Sequence, residues 1–71
     1  MDSVIEVMSI LESGQWLNFE TIMSNCSLPE FNLKIILNYL TKFDLVQFNK
    51  EKKSFRLHPS TIGLINRLQD N

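Results

Sequence analysis

Apolar residues near the start of the chain recur at helical spacing in the segment "DSVIEVMSILESG". Four of them share one side of a helix: Val4, Val7, Met8 and Leu11. Ser3 and Glu6 have the spacing of a capping box, and Gly14 stands where a helix end favours a left-handed residue. The pattern therefore predicts a first helix that ends at Gly14.

A short extended piece, "QWL", and a second helix are expected next. Asn18 can cap the segment "FETIMSN", whose apolar residues Phe19, Ile22 and Met23 recur at helical spacing. We predict that these three side chains point inward. Trp16 and Tyr39 lie beside apolar stripes, so they are interpreted as core or core-rim aromatics rather than as platforms for nucleic-acid bases.

A third and longer helix is predicted in "SLPEFNLKIILNYLTKF". Ser27 and Glu30 again have capping-box spacing, and Pro29 is tolerated in a first turn, where its missing N–H would have had no partner. Because proline cannot lie deep inside a helix, the second and third helices must be separate elements. The predicted inward side chains are Leu33, Ile36, Leu37, Leu40 and Phe43.

The pattern changes from helical to alternating in "DLVQFNKEKKSFRLHP", residues 44–59. The run "LVQF" places Val46 and Phe48 on one face of a strand, and "SFRLH" places Phe55 and Leu57 opposite Arg56. The link "NKEKK" is too long for a two-residue turn and is predicted to be an open, solvated loop.

A short last helix is expected in "STIGLINRLQD", after Pro59 has ended the second strand and with Ser60 as its cap. The predicted fold is therefore mainly α with a small β-hairpin, in the order α-β-α-α-β-β-α. Seventy-one residues make one domain, 1–71.

Composition excludes several functions. One cysteine, Cys26, and one histidine, His58, are too few for a zinc site or a disulfide, and two glycines cannot form a phosphate-binding loop. No apolar run could span a bilayer. We predict a soluble, cytoplasmic protein that is not an enzyme and that uses no metal, cofactor or small-molecule ligand.

The charge is unevenly distributed, although the net charge is only −1. Residues 1–30 carry five acidic and no basic residues, whereas residues 31–71 carry seven basic and three acidic ones. Three lysines lie close together in the hairpin link: Lys50, Lys52 and Lys53. Because binding depends on local potential, the second half of the chain could still attract a polyanion.

The stretch from Ile10 to Pro59 resembles the winged helix-turn-helix superfamily, and the likeness extends over roughly residues 4–60. It rests on the first helix ending in Gly14, the strand at Trp16, and a helix pair closing on "ILNYLTKFDLV", where Asp44 replaces the usual glycine. Asp tolerates a left-handed backbone better than most residues. The chain is most similar to small archaeal or archaeal-viral transcription regulators.

The resemblance implies that the third helix enters the major groove of double-stranded DNA and that the hairpin lies on the phosphate backbone. The outward residues of that helix are Phe31, Asn32, Lys34, Ile35, Asn38 and Lys42, and the cationic residues of the hairpin are Lys50, Lys52, Lys53 and Arg56. Asn can pair with adenine, Lys can donate to guanine, and Phe31 or Ile35 could touch a thymine methyl.

Two alternatives stay open. The lysines could simply keep a hairpin soluble and protect its edge, and the third helix, with two large apolar residues and Glu30, could instead dock a protein partner within a larger assembly. The favoured function is a DNA-binding transcriptional regulator. Apolar residues left over on the terminal helices further predict a homodimer: Ile5, Ile10, Ile62, Leu64, Ile65 and Leu68.

Overall fold

Four helices and three short strands make up the computed structural model, which describes residues 3–63. The elements are α1 (Ser3–Ile10), β1 (Leu17–Asn18), α2 (Phe19–Ser24), α3 (Glu30–Lys42), β2 (Val46–Asn49), β3 (Ser54–Leu57) and α4, described over residues 59–63. The predicted order of helices and strands is confirmed. The domain is a small α+β fold.

The three strands form one antiparallel sheet in the order β1-β3-β2. Val46 lies opposite Leu57, and Phe48 lies opposite Phe55, so these four side chains share one face of the hairpin. Leu17 on β1 also pairs with Phe55. The sheet therefore ties the hairpin back to the segment between α1 and α2.

Among residues 3–63, eight apolar side chains are at most 2% exposed and form the core: Val7, Leu11, Ile22, Leu33, Leu37, Leu40, Val46 and Leu57. The predicted inward stripe of α3 is confirmed, and Ile36 packs against this core. Phe43 is 57% exposed, so its predicted inward position is wrong. Phe43 is the C-cap residue of α3, where the helical stripe ends.

Helix caps follow the prediction at α2 but not at α3. The Asn18 side-chain oxygen accepts a hydrogen bond of 2.8 Å from the Thr21 N–H, as expected. The predicted capping box of Ser27 and Glu30 is wrong, because Pro29 is the N-cap and provides no side-chain cap bond. Proline disfavours helical backbone in the residue before it, here Leu28, which favours a start of α3 after Ser27.

Ser27 instead contacts α1. Its backbone N–H donates to one Glu6 carboxylate oxygen at 2.7 Å, and its hydroxyl lies 2.9 and 3.0 Å from the two oxygens. The backbone hydrogen bond, and then the hydroxyl bond, lower the pKa of Glu6 from its ordinary 4.5. The carboxylate that was expected to cap α1 thus links α1 to the connection between α2 and α3.

Two turns have left-handed backbone at residues where the sequence predicted it. Gly14 has φ of 79° and Asp44 has φ of 61°, which confirms the left-handed backbone expected at both residues. The predicted end of the first helix at Gly14 is wrong, because α1 ends at Ile10. The hairpin link is tighter than predicted, since only residues 50–53 separate the strands, and the Asn49 side chain accepts from the Lys52 N–H at 3.1 Å. The link is therefore an ordered four-residue turn rather than an open loop.

The start of α4 also differs from the prediction, because His58 rather than Ser60 caps it. The His58 carbonyl accepts from the Thr61 N–H at 2.8 Å, and its ring Nδ1 accepts from the Ser60 N–H at 3.2 Å. Pro59 is consequently the first helical residue, a position that needs no N–H.

The predicted homodimer surface is only partly within the described residues. Ile5 is exposed, as the prediction requires, whereas Ile10 and Ile62 pack against the core of their own chain. The remaining residues of that surface, Leu64, Ile65 and Leu68, lie outside the described residues. The homodimer stays a prediction.

We expect Gly14→Ala to destabilise the fold by about 1–3 kcal/mol, because an L side chain is strained at this φ. The added Cβ would also lie 2.8 Å from the Ile62 Cδ1. Gly63→Ala is the matched control, since a Cβ there meets nothing within 4 Å, and it should raise stability by about 0.4–1 kcal/mol. Thermal unfolding followed by circular dichroism measures both changes. Equal shifts in the same direction would contradict the turn assignment.

The Glu6–Ser27 contact predicts a pH dependence. Because the folded-state pKa of Glu6 lies below 4.5, its contribution is present above that pH and is lost as the pH falls through the folded-state value. Glu6→Gln should therefore lower the melting temperature at neutral pH and reduce its loss in acid. Glu12→Gln, which removes an exposed carboxylate without a bonding partner in residues 3–63, should leave the acid loss unchanged.

Candidate nucleic-acid interface

The outward face of α3 carries all six side chains predicted to meet DNA, and each of them is exposed: Phe31, Asn32, Lys34, Ile35, Asn38 and Lys42. Their exposure follows from the burial of Leu33, Leu37 and Leu40 on the opposite side of the same helix. Phe31 is the most exposed large apolar residue of the six, at 73%. The predicted residues of α3 thus form one accessible surface.

Lys34 forms an ion pair with Glu30, one helical turn earlier in α3. Its ammonium lies 3.0 Å from the Glu30 carboxylate, and 5.8 Å from the centre of the Phe19 ring. Both side chains of the ion pair are more than half exposed, so the pair is screened by solvent and contributes little to stability. It does, however, offset the charge that Lys34 would present to a ligand.

The amides of Asn32 and Asn38 have no hydrogen-bond partner among the residues that the structure describes. Each amide offers a carbonyl acceptor and an NH₂ donor side by side. Both residues are exposed on α3, so these groups are available to an external ligand.

Four large apolar side chains run along α3 at four-residue spacing and are each more than half exposed: Phe31, Ile35, Tyr39 and Phe43. Tyr39 was predicted at the core rim, but it is 54% exposed and contacts Phe43 with ring centres 4.8 Å apart. A four-residue step advances about 40° around a helix, so the stripe turns slowly across the outer face. The regular spacing was the signal in the sequence that could have revealed it.

A groove of about 240 Å³ separates α3 from the hairpin. Its lining is mainly apolar and comes from α2, α3 and both hairpin strands: Phe19, Lys34, Leu37, Asn38, Thr41, Phe48 and Phe55. Phe48 and Phe55 contact each other with ring centres 4.8 Å apart. Phe48 and Phe55 are paired in the sheet, and the next pair, Asn49 and Ser54, flanks the turn. The groove therefore reaches to within one residue pair of the turn.

The tip carries three exposed lysines, Lys50, Lys52 and Lys53, together with Glu51. Within residues 3–63 none of these lysines is in an ion pair with a carboxylate. Lys53 has φ of 49°, and the Ser54 hydroxyl donates to the Lys52 carbonyl at 3.0 Å. The turn thus presents three exposed cations that have no ion-pair partner in the described part of the chain.

Arg56 is separate from the tip. Its guanidinium carbon lies 4.5 Å from the centre of the Trp16 ring, and its Nε donates to the Gln47 side-chain oxygen at 2.8 Å. Trp16, predicted to be a core residue, is half-buried and lies outside the core cluster. Gln47 and Trp16 therefore position Arg56 on the outward face of the sheet, a role for which the sequence carried no local signal.

Features typical of metal sites and membrane spans do not occur along residues 3–63. No group of three His, Cys, Asp or Glu side chains in this range is placed to hold a metal ion. None of the helices described there is long and apolar enough to cross a lipid bilayer.

Comparisons with protein-family models, with curated proteins and with solved structures gave no match. The functional interpretation therefore rests on the residues and geometry of this chain.

Proposed function

We propose that the chain is a winged helix-turn-helix protein that binds double-stranded DNA and regulates transcription. The element order and the sheet order β1-β3-β2 support this proposal. The observation that carries it is a groove lined on one side by the exposed Lys34 and Asn38 of α3 and on the other by Phe48 and Phe55 of the hairpin. The turn beyond those two strands carries three lysines that have no ion-pair partner within residues 3–63. A duplex needs such a combination, because one element must enter a groove while another meets the backbone.

In the proposed complex α3 lies in the major groove. A groove about 12 Å wide admits a helix with its side chains, and the N-terminal part of the second helix of the pair contacts base edges. The exposed residues of the first nine positions of α3 that could do so include Phe31, Asn32, Ile35 and Asn38. Lys42 is in the last turn of α3, and the proposal assigns it to a phosphate instead.

The hairpin acts as the wing. Lys50, Lys52 and Lys53 have no ion-pair partner in the described part of the chain, so each can neutralise a phosphate without first breaking an internal contact. Each neutralised phosphate releases condensed counterions, which favours binding at low salt. Arg56 reaches the backbone from the sheet face, where Trp16 and Gln47 restrict its side chain.

The wing is tested by replacing Lys52 and Lys53 with Glu. We expect affinity for every duplex to fall by a similar factor, and the slope of log affinity against log salt to decrease by about 0.9 for each phosphate that is no longer neutralised. Fluorescence anisotropy at several salt concentrations measures both quantities. The melting temperature should barely change, because both lysines are exposed in the turn.

Glu12→Gln is the control for this experiment, since it changes the net charge outside the α3 and hairpin surface. It should leave the salt slope unaltered. If the double Glu variant retains the affinity and slope of the original chain, the hairpin does not contact DNA.

A second candidate function is docking of a protein partner. It is favoured by the exposed apolar stripe of α3, since Tyr39 and Phe43 extend that stripe beyond the residues that would contact bases. Contiguous exposed apolar surface of this kind marks interaction sites in soluble proteins.

A gel shift with random duplex DNA distinguishes the two functions. The DNA-binding proposal predicts a shifted band at low salt that weakens or disappears at high salt, because the non-specific contacts are electrostatic. The absence of binding at both salt concentrations would contradict it and support the protein-docking function.

A further inference from the structure

The N-terminal two-thirds of the outer face of α3 combines apolar and amide side chains and contains no arginine. Phe31, Ile35 and Asn38 are spaced i, i+4, i+7, so at about 100° per residue they lie within about 60° of one another. Asn32 flanks them, three positions before Ile35. All four are exposed, and they form the part of α3 that a duplex would meet first.

The two amides match adenine. A carboxamide can accept from adenine N6 and donate to N7 at the same time, and such a bidentate pair gives about 5- to 150-fold discrimination against the wrong base. Asn32 and Asn38 have no competing side-chain bond within residues 3–63. Their amides are therefore ready to read adenine without rearrangement of the helix.

The apolar side chains match thymine. Thymine is the only base that presents a methyl group in the major groove, and an apolar side chain is its usual contact. Phe31 is 73% exposed and Ile35 is 53% exposed, so covering either of them with a methyl group removes apolar surface from water.

The side chains that could select G·C pairs are occupied or distant. Lys34 could donate to guanine and Glu30 could accept from cytosine, but the two are paired with each other at 3.0 Å. Lys42 lies in the last turn of α3, four positions beyond Asn38. Reading a G·C pair through Lys34 or Glu30 would require this exposed ion pair to open, at a small cost, whereas Asn32 and Asn38 need no such change.

We infer that this surface selects duplexes rich in A·T pairs, with Asn38 and Asn32 on adenine and with Phe31 and Ile35 on thymine methyl groups. The inference rests on the proposed DNA binding and defines its substrate class. It concerns base selection by α3, which the wing cannot provide, because lysines that contact phosphates carry no base preference.

The test uses the full chain and three duplexes of equal length: an alternating A·T duplex, a G·C duplex, and the A·T duplex with uracil in place of thymine. The alternating sequence avoids the narrow minor groove of A-tracts. We expect roughly tenfold or greater preference for A·T over G·C. Uracil should weaken binding about fourfold for each thymine methyl group that Phe31 or Ile35 would otherwise cover.

Three variants assign the effect to residues. Asn38→Ala should lower the ratio of A·T to G·C affinity toward one, and Phe31→Ala should reduce the weakening caused by uracil. Lys52→Gln, the matched control, should weaken binding to all three duplexes equally and leave the ratio unchanged. Both alanine variants keep an exposed helical position and should fold normally.

The outcomes separate the two levels of the proposal. Equal affinity for all three duplexes overturns the A·T inference and leaves DNA binding intact. No binding to any duplex overturns both. An A·T preference that persists with uracil and in both alanine variants would come from DNA shape, and it too overturns the inference.

Discussion

Burial of Leu33, Leu37 and Leu40 is the constraint on which the rest of the structure depends. Fully burying a leucine contributes about 1.5–3 kcal/mol, so three on one side of α3 determine its rotation in a domain of marginal stability. Because positions on a helix are related by about 100° per residue, this rotation also determines which side chains face outward. The amides, the lysines and the apolar stripe of α3 are exposed as a direct consequence.

The hairpin is held against α3 by the same core. Val46 and Leu57 lie opposite each other in the sheet and are both buried, so the two strands cannot slip by one residue without exposing them. This register fixes the distance between the tip lysines and the outer face of α3. The DNA contact proposed above, with α3 on base edges and the hairpin on phosphates, depends on such a fixed distance.

Local signals in the sequence were enough for much of this architecture. The cap at Asn18, the left-handed turns at Gly14 and Asp44, and the inward stripe of α3 each depend on residues within about one helical turn. For the same reason, the exposed residues of α3 and the cationic turn could be named before their positions were known. Propensity, capping and amphipathic spacing act over these short distances.

Tertiary structure decided the contacts between residues far apart in the chain. Ser27 has the local spacing to cap α3, yet it donates to Glu6, 21 positions earlier, because packing brings α1 beside it. Nothing near Arg56 in the sequence indicates a partner, yet its guanidinium lies over the ring of Trp16, 40 positions earlier. The pairing of β1 with β3 brings these two residues together. The sequence by itself determined which groups are available, and packing determined their partners, since a hydrogen bond requires the two atoms to be brought within about 3 Å.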